Sequence, residues 1–163
     1  MFSKRVSELM NQQIKNELDS AYLYLAMAAY FEGENLPGFA HWMRAQAGEE
    51  QAHAMKFYDF IFERGGSVNL LGLEQPPAKF ESVRAVFKQT LDHEKKVTGL
   101  IESIYVAAVE DKDYASQTFL NWFIDEQVEE EKNATDILET LRIGGESGAS
   151  LLMLDHQLGK RAG

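Results

Sequence analysis

The chain contains no cysteine, which excludes disulfides, zinc–thiolate sites and cysteine-held iron–sulfur clusters. It has only 3 prolines, Pro37, Pro76 and Pro77, in 163 residues, so few positions force a helix to stop. Long apolar runs are also missing. The longest, Ala21 to Phe31, is about 11 residues, short of the roughly 20 that a membrane-spanning helix needs. The start, MFSKRVSELMNQQ, has no apolar stretch of signal-peptide length. Positive charge is scarce: 16 Lys and Arg stand against 26 Asp and Glu, a formal net charge of −10. Such a surface repels phosphate backbones and anionic membranes and attracts cations. No basic patch interleaved with aromatics occurs, so neither nucleic acid nor membrane is an expected partner. The expected setting is a reducing cytoplasm.

What the chain does have is helical periodicity. Breakers cluster in GENLPG, RGGSVNLLGLEQPPA, EDKDY and IGGESG. Between them run four long segments, about 4–33, 38–64, 81–110 and 115–142, and a short fifth one at about 147–158. Nothing alternates at period two, so the expectation is an all-α chain forming one domain over residues 1–163. Connections of about four residues join the first two segments and the last two long ones, which makes each pair an antiparallel hairpin. The middle connection, Gly65 to Lys79, is longer. A helix of about 27 residues is roughly 40 Å long, and 15 extended residues reach about 50 Å. That loop can run the length of the bundle and leave the second and third helices parallel. The predicted architecture is a four-helix bundle with one long crossover, plus a short fifth C-terminal helix.

Each long segment has one apolar stripe at spacings of 3 and 4. The stripes read Met10, Ile14, Glu17, Ala21, Tyr24, Ala28, Phe31; Phe39, Met43, Gln46, Glu50, His53, Phe57, Phe60; Phe80, Arg84, Phe87, Leu91, Glu94, Thr98, Ile101, Tyr105, Ala108; and Leu120, Phe123, Gln127, Glu130, Ala134, Ile137, Leu141. All four are interrupted near the helix midpoint by acid, amide or imidazole groups. In an antiparallel bundle midpoints share one layer, so Glu17, Glu50, His53, Glu94, Gln127 and Glu130 should converge. A lone polar residue on an apolar stripe is usually a hydrogen-bonded core residue. Six of them at one depth on four helices demand a common cause.

Four buried carboxylates repel one another and raise one another's pKa, and cations resolve that repulsion. An oxygen-rich set with one imidazole suits iron better than zinc or magnesium. Bundles that hold two irons use a Glu from each of two helices and a Glu-x-x-His from each of the other two. Here Glu17 and Glu94 are the single acids, Glu50-x-x-His53 is one pair, and Gln127-x-x-Glu130 stands where the other would be. Tyr24, two turns after Glu17, is either a core tyrosine or a redox-active one. Glu49, Glu126 and Glu129 flank the set, as a further cation site or as a solvated acidic face. Trp122 reads as core.

The segments NQQIKNELDSAYLYLAMAAYF, HWMRAQAGEEQAHAMKF, DHEKKVT and WFIDEQVEEE, in this order and spacing, resemble the non-haem prokaryotic ferritins over essentially the whole chain. The resemblance implies a ferroxidase centre with one iron held by Glu17, Glu50 and His53. The second would be held by bridging Glu50, Glu94 and Glu130, with Gln127 adjacent, and Glu49, Glu126 and Glu129 would form a third iron site. It further implies oxidation of Fe(II) by O₂ or peroxide and storage as ferric oxyhydroxide in a hollow cage of 24 copies. Bacterioferritins are similar but have Met after the bridging Glu and a second Glu-x-x-His. Gln51 and Gln127-x-x-Glu130 occupy those places here, so no haem is expected. Rubrerythrins carry a cysteine-rich domain, and the small starvation-type cage proteins lack a fifth helix.

The alternative is a structural four-helix protein that holds a permanent metal without turnover. Three peripheral readings complete the expectations. Asp111 and Asp113 line an inlet pore or form a solvated turn. Lys160 and Arg161 belong to a solvated tail. The fifth helix, with Leu151, Leu152, Leu154 and Leu158, docks either on its own bundle or, as IGGESG favours, on neighbouring subunits.

Overall fold

A computed structural model describes residues 1–163. Its five helices are α1 (Lys4–Gly33), α2 (Pro37–Glu63), α3 (Val83–Glu110), α4 (Tyr114–Gly144) and α5 (Gly148–Leu158), and there is no strand. Helix starts leave amide groups open, and short polar side chains close them. Ser3, Ser82 and Asp113 accept hydrogen bonds from Val6 N, Ala85 N and Ser116 N at 3.2, 3.0 and 3.2 Å. Helix α2 differs: Pro37 occupies its first turn and Leu36 offers no side-chain cap. Its Phe39 N donates instead to Asp155 Oδ1 of α5, at 3.0 Å.

Polar contacts fix the helix directions. At one end Ser3 N donates to Asp113 Oδ2 (3.2 Å), Arg5 pairs with Glu110 (2.7 Å), and Arg64 donates to Asp113 Oδ1 (2.9 Å). The starts of α1 and α4 therefore lie with the ends of α2 and α3. At the opposite end Phe31 of α1 stacks on Phe39 of α2 at 5.0 Å and lies 6.0 Å from Phe87 of α3. Helices α2 and α3 are thus parallel, as the long connection requires. That connection is tied along α1: Asn11 Nδ2 donates to Ser67 O (3.0 Å), and Asn69 N and Glu74 N donate to Asn11 Oδ1 and Asp19 Oδ1 (both 2.8 Å).

Two apolar clusters fill the interior. One gathers Tyr24, Phe31, Phe39, Phe87 and Leu141 with Leu154 and Leu158 of α5; the other gathers Met10, Phe57, Ile101, Leu120 and Phe123. Glu17, Glu50, His53, Glu94, Gln127 and Glu130 are buried but belong to neither.

Several expectations are corrected. Arg84 is exposed, and the α3 seam runs through Val83, Val86, Thr90, Val97 and Ile104 as well as Phe87, Glu94, Ile101 and Ala108. Asp113 lines no pore and is no solvated turn. It is a buried cap, and although burial pushes its pKa up, the Arg64 guanidinium and the Ser116 and Ser3 amides outweigh that and hold it low. Trp122 is not core: it is 39% exposed, with Lys56 Nζ 3.1 Å above its ring. Helix α5 uses one set of side chains, Leu154 and Leu158, to pack on its own bundle, and keeps a second set, Leu152 and Met153, exposed at the surface. The approach is so close that a Cβ on Gly38 would lie 1.6 Å from Asp155 O.

Candidate metal centre

The four seams deliver their polar residues to a common layer between the apolar clusters. Ligand atoms of Glu17, Glu50 and His53 lie within 4.8 Å of one another, as do those of Glu50, Glu94 and Glu130, and those of His53, Glu126 and Glu130. Glu50, from α2, is shared by the first two groups. His53 Nδ1 faces this layer, 3.3 Å from Glu50 Oε2 and 3.9 Å from Glu17 Oε2, while Nε2 points away toward Glu126 Oε1 at 3.9 Å. Trp122 and Phe123 hold the imidazole edge-on, at 5.3 and 6.0 Å.

The hydrogen-bond donors inside the layer are neutral. Gln13 Nε2 donates to Glu17 Oε1 at 3.0 Å, Gln46 Nε2 to Glu130 Oε2 at 2.6 Å, and Gln127 Nε2 to Glu94 Oε2 at 3.1 Å. The Tyr24 hydroxyl donates to Glu94 Oε1. Glu17 Oε2 is buried and accepts no hydrogen bond. Burial drives the carboxyl pKa values up, well up for Glu17 and Glu50; the next cause is the Glu50 charge for Glu17 and the Glu94 charge for Glu50. Glu130 is pushed up to about 8 by burial and then by Glu94. Burial also raises Glu94, against the Tyr24 and Gln127 donors. A neutral hydrogen bond contributes about 1 kcal/mol net, whereas burying an ionised carboxylate costs several. The donors cannot offset four charges, so the layer must bind either protons or cations. Its chemistry, hard oxygens with one imidazole, fits iron.

Residues 7–143 match the family model of the ferritin-like domain, ferritin. The chain is 41% identical over 162 residues to a bacterial non-heme ferritin of Staphylococcus aureus, covering 99% of this chain and 97% of that one. It is 38% identical over 161 residues to one from Bacteroides fragilis, covering 99% and 100%. Its fold matches the open-pore ferritin of the hyperthermophilic archaeon Archaeoglobus fulgidus with a TM-score of 0.98 at 46% identity, over 99% of this chain and 100% of that one. The chain belongs to the ferritin family.

Within this ferritin fold the six predicted midpoint residues are brought together. Tyr24 is buried among them, with its pKa raised by burial and then by the Glu94 charge. The flanking acids divide. Glu126 is half-buried and joins His53 and Glu130, Glu129 is exposed, and Glu49 Oε2 is engaged by Arg161 Nη2 at 2.7 Å. The solvated-tail expectation therefore fails for Arg161. Gln13 and Gln46 were missed as carboxylate partners, yet each precedes its acid, Glu17 and Glu50, by one turn. His93 was also missed. Its Nε2 forms a hydrogen bond with Ser20 Oγ at 2.7 Å, and Ser20 Oγ also lies 3.0 Å from Asn16 O. Burial, then Lys96, lowers the pKa of His93 to about 4, keeping it neutral edge-on to Tyr24.

Proposed function

We propose that this member of the ferritin family oxidises Fe(II) in its buried carboxylate layer and stores the product as ferric oxyhydroxide. The observation that carries the reading is Glu17 Oε2, an unpartnered carboxylate oxygen in a layer of four acids that contains no Lys or Arg. In this reading Glu17, Glu50 and His53 hold one iron, and Glu50, Glu94 and Glu130 the other, with Gln127 beside them. Glu50, common to both groups, would supply the ligand that the two irons share. Glu126, with Glu49 and Glu129, would form a third iron site beside them.

The chemistry follows from charge. Ionic attraction to carboxylates grows with metal charge, so this ligand set favours Fe(III) over Fe(II). Two Fe(II) ions give up one electron each. O₂ takes both electrons with two protons to become hydrogen peroxide, or peroxide takes them to become two waters. Tyr24 donates its hydroxyl proton in a hydrogen bond to Glu94 Oε1 and so holds that carboxylate in place beside the second position. A single imidazole holds Fe(III) less firmly than two would, which suits a site that must release its product.

Storage requires a shell, and the resemblance implies 24 copies. Supporting it are exposed apolar side chains that a lone chain would leave in water: Tyr22 and Leu25 on α1, Leu70, Leu71 and Leu73 in the crossover, and Leu152 and Met153 on α5. Aerobic addition of Fe(II) in large excess over protein tests the function. A ferric absorbance that grows with each addition, with the protein staying soluble, is expected. Saturation at a few ions without oxidation would select a structural metal-binding protein instead.

A further inference from the structure

The residues after α5 do not trail into solvent. They lie back along α2 and end beside the metal centre. A ring nitrogen of His41, Nε2, meets Arg161 O at 2.6 Å. The Arg161 guanidinium sits 4.6 Å over the Trp42 ring; its Nη1 donates to Trp42 O (3.2 Å) and Gln46 Oε1 (3.0 Å), and its Nη2 to Glu49 Oε2 (2.7 Å). On its other side the Gln46 amide donates through Nε2 to Glu130 Oε2 at 2.6 Å and, more weakly, to Glu50 Oε1 at 3.4 Å.

A guanidinium has donors and no acceptor. The amide atom facing Arg161 must therefore be the oxygen, which turns the NH₂ of Gln46 toward the carboxylates. In the reversed orientation an oxygen lone pair would face Glu130 and Glu50. We propose that Arg161 is a positioning residue for the metal centre: it fixes the Gln46 amide, which in turn aims the Glu130 carboxylate at the second metal position. The role rests on the reading of Glu50, Glu94 and Glu130 as that position.

Two physical effects of removing Arg161 have opposite signs, and this makes the role testable. As a nearby positive charge, Arg161 opposes cation binding, so by Coulomb attraction alone its loss should tighten metal affinity. As a positioning residue it supports a ligand, and loss of such outer partners typically weakens metal binding by ~10–100-fold.

The experiment is an anaerobic titration of the metal-free, full-length protein with Co(II), followed by calorimetry and by the visible Co(II) bands. The parent should bind two Co(II) per chain in this layer. Arg161→Ala should weaken the second event about 10-fold or more and leave the first in place, and Gln46→Ala should do the same. In the Gln46→Ala background Arg161→Ala should cause no further weakening, since only its charge effect, which favours metal binding, is left. Arg161→Lys, which keeps a donor for Gln46 Oε1, should recover part of the loss. A second event unchanged or tightened by Arg161→Ala overturns the positioning role and leaves the two-metal reading standing. So does a further weakening in the Gln46→Ala background, which would show that Arg161 acts by another route. A parent that binds fewer than two Co(II) overturns both.

Discussion

Glu130 keeps its proton up to about pH 8 in the folded chain, against an ordinary value of 4.5. A folded pKa above the unfolded one contributes stability below about pH 4.5 that is lost as pH rises through about 8. Glu17, Glu50 and Glu94 shift in the same direction. The metal-free protein should therefore lose stability between pH 5 and 8, and metal affinity, which requires expelling these protons, should rise over the same window. Melting and Co(II) titrations at several pH values check both trends; metal-free stability that rises with pH would contradict them. Glu17→Gln offers a sharper test. It removes the unpartnered oxygen and supplies an amide that can donate to Glu50, so the metal-free protein should gain about 1–3 kcal/mol in denaturant unfolding at pH 8. The same change should abolish one metal-binding event. Glu50→Ala should slow Fe(II) oxidation by orders of magnitude and more than His53→Ala, since Glu50 serves both groups; stopped-flow absorbance compares them.

Helices were legible in the sequence because their seams repeat, and the α3 seam shows where that legibility ends. On α3 the predicted and observed stripes share Phe87, Glu94, Ile101 and Ala108, every seventh residue. Between these anchors a step of 4 then 3 selects Thr98 and Tyr105, while a step of 3 then 4 selects Val97 and Ile104, and only the neighbouring helices decide. The acid on each seam was an anchor, so the metal centre survived the error. The partners of those acids were less visible. Gln13 and Gln46 carry a local signal, one turn before Glu17 and Glu50, but Arg161 lies 115 residues from Gln46 in sequence and meets it only because α5 folds back. That fold-back rests on Asp155, which caps α2, and on Gly38, whose missing Cβ leaves room for Asp155 O. Gly38→Ala should therefore detach α5 while the four long helices persist. Limited proteolysis near Gly145–Gly148 should speed up at nearly unchanged circular dichroism; unaltered cleavage would show that α5 is held elsewhere.

At the scale of the molecule, two apolar clusters supply the burial and the polar layer between them supplies the chemistry. The clusters pack above and below the four carboxylates and fix their depth in the bundle. Truncation after Gly145 removes Leu154 and Leu158 from one cluster, each side chain contributing about 1.5–3 kcal/mol of burial, together with the exposed Leu152 and Met153. The shortened chain should keep its helical content but melt earlier, and light scattering should show a smaller or looser assembly; an unchanged mass and melting point would assign α5 no role in either. Net charge and exposed apolar side chains bear on assembly and cation attraction, whereas oxidation depends on where the iron sits. Anomalous diffraction from crystals soaked anaerobically in Fe(II) addresses it directly. Two peaks about 3.5–4 Å apart are expected, one among Glu17, Glu50 and His53 and the other among Glu50, Glu94 and Glu130. Iron found only on the acidic surface, with this layer empty, would contradict it.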